Sequence, residues 1–424
     1  MEFTIELATP ADDADIRRLL ATNPIPGQIT LTYEREPDYF LGCGTMGHFY
    51  QVVVARHQPG GELAGVVSRA TRPLFVNGQV EEVGYLSQLR IDERFQGRWL
   101  MPQGFRFLRQ LHAGGRVTGY LAAIIEDNEQ ATGILVKRPR RGYPTFRQIC
   151  RLWTLALILR SPKSIPASTY EISRGSTANL GPNPKNSCPS SNKMDIDTLP
   201  FGSGSSGLGP NPKNSCPSSN KMDMDTLPFG SGSSGLGEIV AFLRQHGAAR
   251  QFFPAYTEAD FGDSPLTRDF KVKDFILARQ QGELVGAIGL WDQSAYKQSV
   301  VQAYSGTLGR LRPLYNPGLR LIGAQPLPSP GEQIRFAYAS FICIANNDPD
   351  IFDLLLRCVY NLATERGYAY LMVGLTENDP LLAVARRHFH IPYRSQLYIV
   401  CWDEENSWPW RLDNRIPYVE IAAL

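Results

Sequence analysis

Two stretches of the chain carry nearly the same succession of apolar and polar positions. Val52 to Val67 reads VVVARHQPGGELAGVV, and Phe275 to Leu290 reads FILARQQGELVGAIGL. Each has an apolar strand, Ala-Arg, a Gly-Glu-Leu turn and a second strand opening on Gly, the pattern of a β-hairpin. Its recurrence predicts two copies of one fold, residues 1–163 and 164–424, parted near Pro162 to Pro166.

The pattern around the first hairpin predicts the rest of that copy. Phe3, Ile5 and Leu7 alternate as a strand; Thr9, Pro10 and Asp12 signal a helix start, and Ile16, Leu19 and Leu20 supply its buried face. Asn77-Gly78 marks a tight turn into a longer strand, Val83 to Ile91, followed by a helix over Leu100 to His112. A strand from Val117 to Ile125, a short helix near Ala131 and a pair of strands ending at Leu159 close the copy. In the second copy, Tyr170 to Ser173, Phe336 to Ala345, Tyr368 to Leu375 and Arg394 to Trp402 read as strands. Glu238 to Gln245 and Ile351 to Arg366 read as helices. The class is α+β, a mixed αβ sheet.

One segment fits neither copy. LGPNPKNSCPSSNKMDIDTLPFGSGSSG begins at Leu180 and recurs from Leu208, a period of 28, with Ile196 becoming Met224 as the one change. A unit so poor in large apolar residues and so rich in Pro, Gly and Ser cannot bury a core when repeated twice. Residues 176–237 are therefore expected to be a flexible insertion, without a catalytic role for Cys188, Cys216 or the Met-Asp-x-Asp groups.

Composition narrows the function classes. A chain of 424 residues with net charge +2 lacks the basic excess of a nucleic-acid binder, so no nucleic-acid partner is expected. The apolar run Leu152 to Leu159 is far shorter than the ~20 residues of a spanning helix, and MEFTIELATPADD lacks the charge and apolar run of a secretory signal. A cytoplasmic protein away from membranes is the expectation. The 7 cysteines form no CxxC pair and no metal-ligand spacing with the 6 histidines, so no metal is expected.

The candidate chemistry lies after the long strand. GYLSQLRIDERFQGR, Gly84 to Arg98, joins that strand to the next helix. Such a turn aims backbone N–H groups and a helix N-terminus, worth about half a positive charge, at an anion, and a small residue lets the backbone come close. In this order of elements the chain resembles the GNAT superfamily of acyl-CoA-dependent N-acetyltransferases. Their motif is Arg or Gln, two residues, Gly, one residue, then Gly or Ala; Arg94 and Gly97 match, and Trp99 stands at the small position.

The resemblance covers the chain outside the insertion, as two tandem GNAT-like domains. It implies that acetyl-CoA is held by Arg94, Phe95, Gln96, Gly97, Arg98 and Trp99, with Asn128 at the start of the short following helix. It implies that the backbone at Leu89 and Ile91 polarises the thioester carbonyl. It further implies direct attack by an amine of an unspecified acceptor, with a general base and a proton donor. Glu82, beside Glu81, is the candidate base; Tyr143 is the candidate donor, because Leu135 and Val136 occupy the segment where the family places its tyrosine. Arg138, Arg140 and Arg141 read as a solvated basic run.

The second copy departs at the same junction. ICIANNDPDIFDLLLRC places Asp348 as N-cap, Pro349 first in the helix and Asp350 in the first turn. Carboxylates there repel a pyrophosphate, so only the first copy is expected to hold coenzyme A. Acceptor specificity is expected in the loops Pro24 to Gly47 and Tyr296 to Ile334. The alternative to an N-acetyltransferase is a non-catalytic acyl-CoA sensor or interaction scaffold on the same fold.

Overall fold

A computed structural model describes residues 2–115, 117–137, 142–176, 234–321, 323, 325–402 and 411–424. The repeats with Cys188 and Cys216, and the basic positions Arg138, Arg140 and Arg141, lie outside the described residues.

The first half runs β1 (Phe3–Leu7), α1 (Asp13–Ala21), β2 (Ile29–Glu34), α2 (Tyr39–Cys43), β3 (Phe49–His57), β4 (Glu62–Val76), β5 (Gln79–Ile91), α3 (Leu100–Ala113), β6 (Tyr120–Ile125), α4 (Glu129–Leu135) and β7 (Thr145–Ile158). The second runs β8 (Glu171–Ser176), β9 (Ser234–Gly235), α5 (Leu236–Gly247), β10 (Phe275–Gln280), β11 (Glu283–Trp291), β12 (Gln298–Tyr304), α6 (Gly306–Leu321), β13 (Phe336–Ile344), α7 (Pro349–Glu365), β14 (Tyr370–Thr376), α8 (Leu381–Ala385) and β15 (His390–Cys401).

Both hairpins form, β3 with β4 and β10 with β11. Helix α1 buries Ile16, Leu19 and Leu20, the spacing that puts three side chains on one stripe. Its entry is fixed by Asp12, whose carboxylate accepts from the Thr9 backbone N–H at 2.6 Å. In the second half α7 lays Ile351, Phe352, Leu355 and Val359 into a large core shared with α5 and strands β10, β11, β13 and β14. The ends of the repeat-bearing insertion meet: Gly175 pairs with Ser234 and Ser176 with Gly235, in parallel.

All strands except β2 and β12 form one sheet of 13, in the order β1-β3-β4-β5-β6-β15-β7-β14-β13-β11-β10-β8-β9. This differs from the sequence-based expectation in two ways. The stretch ending at Leu159 is one strand rather than a pair. The closing strands are also exchanged: β7 of the first half lies between β14 and β15 of the second, and β15 lies between β6 and β7. Strand β7 alone has 14 residues, so its pairing on both sides joins the halves through backbone ladders rather than through a side-chain interface.

The two expected specificity loops zip together. Strand β2 pairs antiparallel with β12, from Ile29 against Tyr304 to Glu34 against Gln298, as a small second sheet spanning the halves.

Candidate functional site

Strands β5 and β6 run in parallel but form a ladder only at Gly84–Tyr120 and Tyr85–Leu121. Beyond that pair they separate. Gln88 adopts a left-handed backbone, φ 56°, and the pairing of β5 with β4 slips there, a bulge that turns the β5 backbone toward the gap. The gap opens into a cavity of about 290 Å³ on the face of α3 and α4. Its walls include Leu89, Ile91, Gly104, Phe105, Asn128 and Ala131.

The turn at the mouth of this cavity has the form an anion needs. Asp92 caps a short 3-10 turn, Glu93–Phe95; Gly97 follows at φ 77°, and Trp99 is the N-cap position of α3 without a side-chain bond to the helix. The first turn of α3 holds no acidic residue and Trp99 gives it no side-chain cap, so the N–H groups that remain beside Pro102 meet no carboxylate of that turn. A Cβ at Gly97 would meet nothing within 4 Å. The backbone is open there, and the residues present fit a coenzyme A pyrophosphate.

The structure brings some expected residues together and separates others. Leu89, Ile91 and Asn128 line the cavity, and Asn128 also caps α4, accepting from the Ala131 N–H at 2.9 Å. Gln96 spans the mouth, donating to the Ile91 carbonyl at 3.3 Å and accepting from Gln130 at 3.1 Å. Phe95 is buried against Phe3 and His57 and anchors the turn. Arg94 is engaged by the half-buried Asp92 at 2.9 Å and by Glu62 at 3.2 Å, and Arg98 by Glu2 at 2.6 Å; both guanidinium groups are exposed.

Three positions differ from expectation. Trp99 is 73% exposed, so its bulk points to solvent and does not fill the cradle that a small residue would keep open. Glu82 is exposed and pairs with Pro73 on the stretch of β5 before the separation from β6, away from the cavity lining. Tyr143 packs its ring on Phe105 at 4.6 Å, behind the cavity wall. His112 is likewise a core residue, stacked on Trp402 at 5.2 Å.

Sequence reasoning missed Tyr85, Gln88 and Arg90. All three line both this cavity and a second one of about 330 Å³ on the opposite face of the sheet, between the halves. The second cavity is walled by β2, β12, β13 and β15, with Arg35, Lys297, Tyr338 and Tyr393 among its lining. The bulge thus sits where two chambers meet. Burial pushes the Tyr85 phenol up, so it stays protonated and can donate; burial lowers the Arg90 guanidinium. A bulge leaves no mark in an apolar strand pattern, and only a polar Gln inside the strand hinted at it.

The second half repeats the geometry and closes it. Strands β13 and β14 pair from Phe336–Tyr370 to Ala339–Val373 and then part, and Phe341, at φ 56°, is the bulge. Here the gap is filled by the segment Ile416 to Ala423. Glu420 Oε2 accepts from the Phe341 N–H at 2.7 Å, the Tyr418 hydroxyl accepts from the Ile342 N–H at 3.2 Å, and the Thr376 hydroxyl donates to the Pro417 carbonyl at 2.9 Å. A Cβ on Gly374 would lie 2.1 Å from Ile421. Asp348 accepts from the N–H groups of Asp350 and Ile351 at the start of α7, and the connection before the helix is shorter than that before α3.

No protein-family model matches the chain, and no curated protein matches it. Solved structures do. A glucosamine N-acetyltransferase region of a fungal multi-domain beta-N-acetylglucosaminidase matches 94% of this chain at 14% identity and TM-score 0.54; this chain spans 38% of that protein's length. N-myristoyltransferase of Saccharomyces cerevisiae with bound myristoyl-CoA matches 99% of this chain and 90% of its own at 8% identity and TM-score 0.54. A further structure of the yeast enzyme, with bound myristoyl-CoA and inhibitors, matches 99% of this chain and 87% of its own at 9% identity and TM-score 0.53. At such identities the likeness concerns the fold: this chain has the fold of the GNAT superfamily.

Proposed function

We propose that the protein transfers an acyl group, acetyl in the first instance, from its coenzyme A thioester to an amine, using the first half as the catalytic unit. The observation that carries the reading is the parting of β5 from β6 at the Gln88 bulge, with an uncapped, acid-free helix N-terminus at its mouth. The GNAT fold of the neighbours supports it.

In this reading the turn from Arg94 to Trp99 and the start of α3 bind the pyrophosphate through backbone N–H groups, with Arg94 and Arg98 adding charge. Asn128 and Ala131 guide the pantetheine arm along α4. The thioester supplies an activated acyl carbon. Backbone N–H groups beside Gln88, in Leu89 and Ile91, polarise its carbonyl, a contribution on the order of 3 kcal/mol per donor in comparable sites. The amine enters from the second cavity and attacks directly. Tyr85, protonated and at the junction, donates a proton to the departing sulfur; Tyr143 behind the wall and Glu82 at the strand entrance are tested beside it.

Calorimetric titration with acetyl-CoA and with myristoyl-CoA, followed by release of free thiol over a panel of amines, tests the proposal. One site per chain with amine-dependent thiol release is expected. Binding without release would leave a sensor, and absence of binding would leave a scaffold. Tyr85→Phe is expected to lower the rate constant about 100-fold with little change in thioester affinity.

A further inference from the structure

The second cavity has a charge pattern that acyl transfer by itself does not require. Arg35, directly after β2, is 3% exposed; it donates to the weak acceptor Cys43 Sγ at 3.7 Å and lies over the Tyr39 ring at 5.2 Å. Lys297, directly before β12, donates to the Ala422 carbonyl at 2.8 Å. Arg90, just past the bulge, donates to the Leu89 carbonyl at 2.9 Å. All three line the cavity, and among the described residues none of them makes an ion pair.

No neighbouring carboxylate makes an ion pair with them, although the Glu420 charge favours protonated Lys297. Arg394, a fourth cation in the wall, is held by Glu126 at 3.0 Å. Glu34 accepts from Thr32 at 2.6 Å. Glu420 is turned toward the Phe341 N–H and the Tyr418 hydroxyl. Burial lowers the proton affinity of Arg90 and, strongly, of Lys297, and the Arg35 charge lowers both further. Buried charges are tolerated when something pairs them. The Arg35 and Arg90 guanidinium groups and the Lys297 amine gather around a cavity in which no described carboxylate makes an ion pair with any of them, so an anionic ligand would supply the missing partner. The wall also carries five aromatic side chains, Tyr33, Phe336, Tyr338, Tyr370 and Tyr393, among aliphatic ones.

We propose that the acceptor amine also carries an anionic group, a carboxylate or a phosphate, seated among Arg35, Arg90 and Lys297 with an aromatic or apolar body against the tyrosines. The proposal rests on the acyl-transfer reading for the amine, but the anion site is testable without coenzyme A. Calorimetry compares phenylalanine and 3-phenylpropanoate with phenethylamine, which keeps ring and amine and lacks the anion. Both carboxylates are expected to bind about tenfold more tightly or better. Arg35→Met and Lys297→Met should each remove that advantage and leave phenethylamine binding unchanged, with near-UV circular dichroism reporting an intact fold.

Phenyl phosphate, run in parallel, assigns the anion to phosphate if it binds more tightly than the carboxylates. Equal or tighter binding of phenethylamine, survival of the anion preference in both variants, or no anion binding up to about 10 mM would overturn the proposal. An anion preference that persists in a protein with no affinity for acyl-CoA would instead overturn the transferase reading alone.

Discussion

The two halves build the same gap and treat it oppositely. In the first, β5 leaves β6 at Tyr85 and the bulged backbone at Gln88 faces an open cavity. In the second, β13 leaves β14 at Ala339 and the bulged backbone at Phe341 is bonded by Glu420 and Tyr418 of the chain's own last segment. Parted parallel strands leave polar groups that something must satisfy. One half leaves its bulged backbone facing an open cavity, and the other uses a carboxylate and a hydroxyl. The helix starts agree: α3 presents no acid, whereas α7 carries Asp348 and Asp350. The difference teaches that the same parting of strands can stand open or be filled from within the chain, and that the filling residues distinguish the two cases.

The largest expected effect tests whether the halves can be compared as separate bodies at all. Residues 1–163 expressed alone should give no cooperative unfolding transition, because β7 would lose the partners it has on both sides, β14 and β15. A folded, soluble fragment would show that the exchange is dispensable. Next, Tyr418→Ala removes the ring packed on Phe253 at 4.6 Å and empties the filled gap. A loss of about 3–5 kcal/mol in denaturant unfolding is expected, with acyl-CoA affinity in the other half unchanged.

A smaller effect sharpens the open side. Gly97→Val should weaken acyl-CoA about tenfold or more, since a β-branched residue resists the left-handed backbone and its side chain would occupy the space facing the phosphates. Gly97→Asn, which tolerates that backbone, separates strain from obstruction: its affinity should fall between the two.

On the closed side, burial raises the Glu420 carboxyl above its ordinary value of 4.5. A raised carboxyl binds its proton more readily in the folded state, so its contribution to stability is largest at low pH. That contribution declines as pH climbs from the unfolded value to the folded one, and then levels off. Melting curves from pH 4 to 8 should show Glu420→Gln losing this decline, with a total change below about 2 kcal/mol. Parallel curves for the two proteins would remove the carboxylate from the account. Smallest of all, Trp99→Ala should alter stability by less than about 0.5 kcal/mol, as expected at an exposed site. A loss several times larger in a thermal melt would mean that the indole packs against something.

Much of this was legible in the pattern of residues. The recurring hairpins, the helix faces of α1 and α7 and the Asp348 cap are local, and period and capping chemistry specify them with few distant partners. Leu89, Ile91 and Asn128, expected from the family resemblance, line the first cavity, and Gly97, expected from its motif, takes a left-handed backbone. The placement of Trp99 and Glu82 was not legible, since whether an indole faces out and where a ladder begins depend on neighbouring strands. Arg35 and Lys297 carry no local signal either; they lie far apart in sequence and meet because β2 pairs with β12.

The αβ class, the recurring hairpin, the acid-free start of α3 and the acidic start of α7 could be read from the residues alone, because each is written in residues a few positions apart. Tertiary structure alone decided the exchange of β7 and β15, the filling of the second gap by Glu420 and Tyr418, and the cation-lined cavity between the halves. Each of these depends on long-range pairing. A strand's own alternation says which face is apolar and is silent on which strand lies beside it.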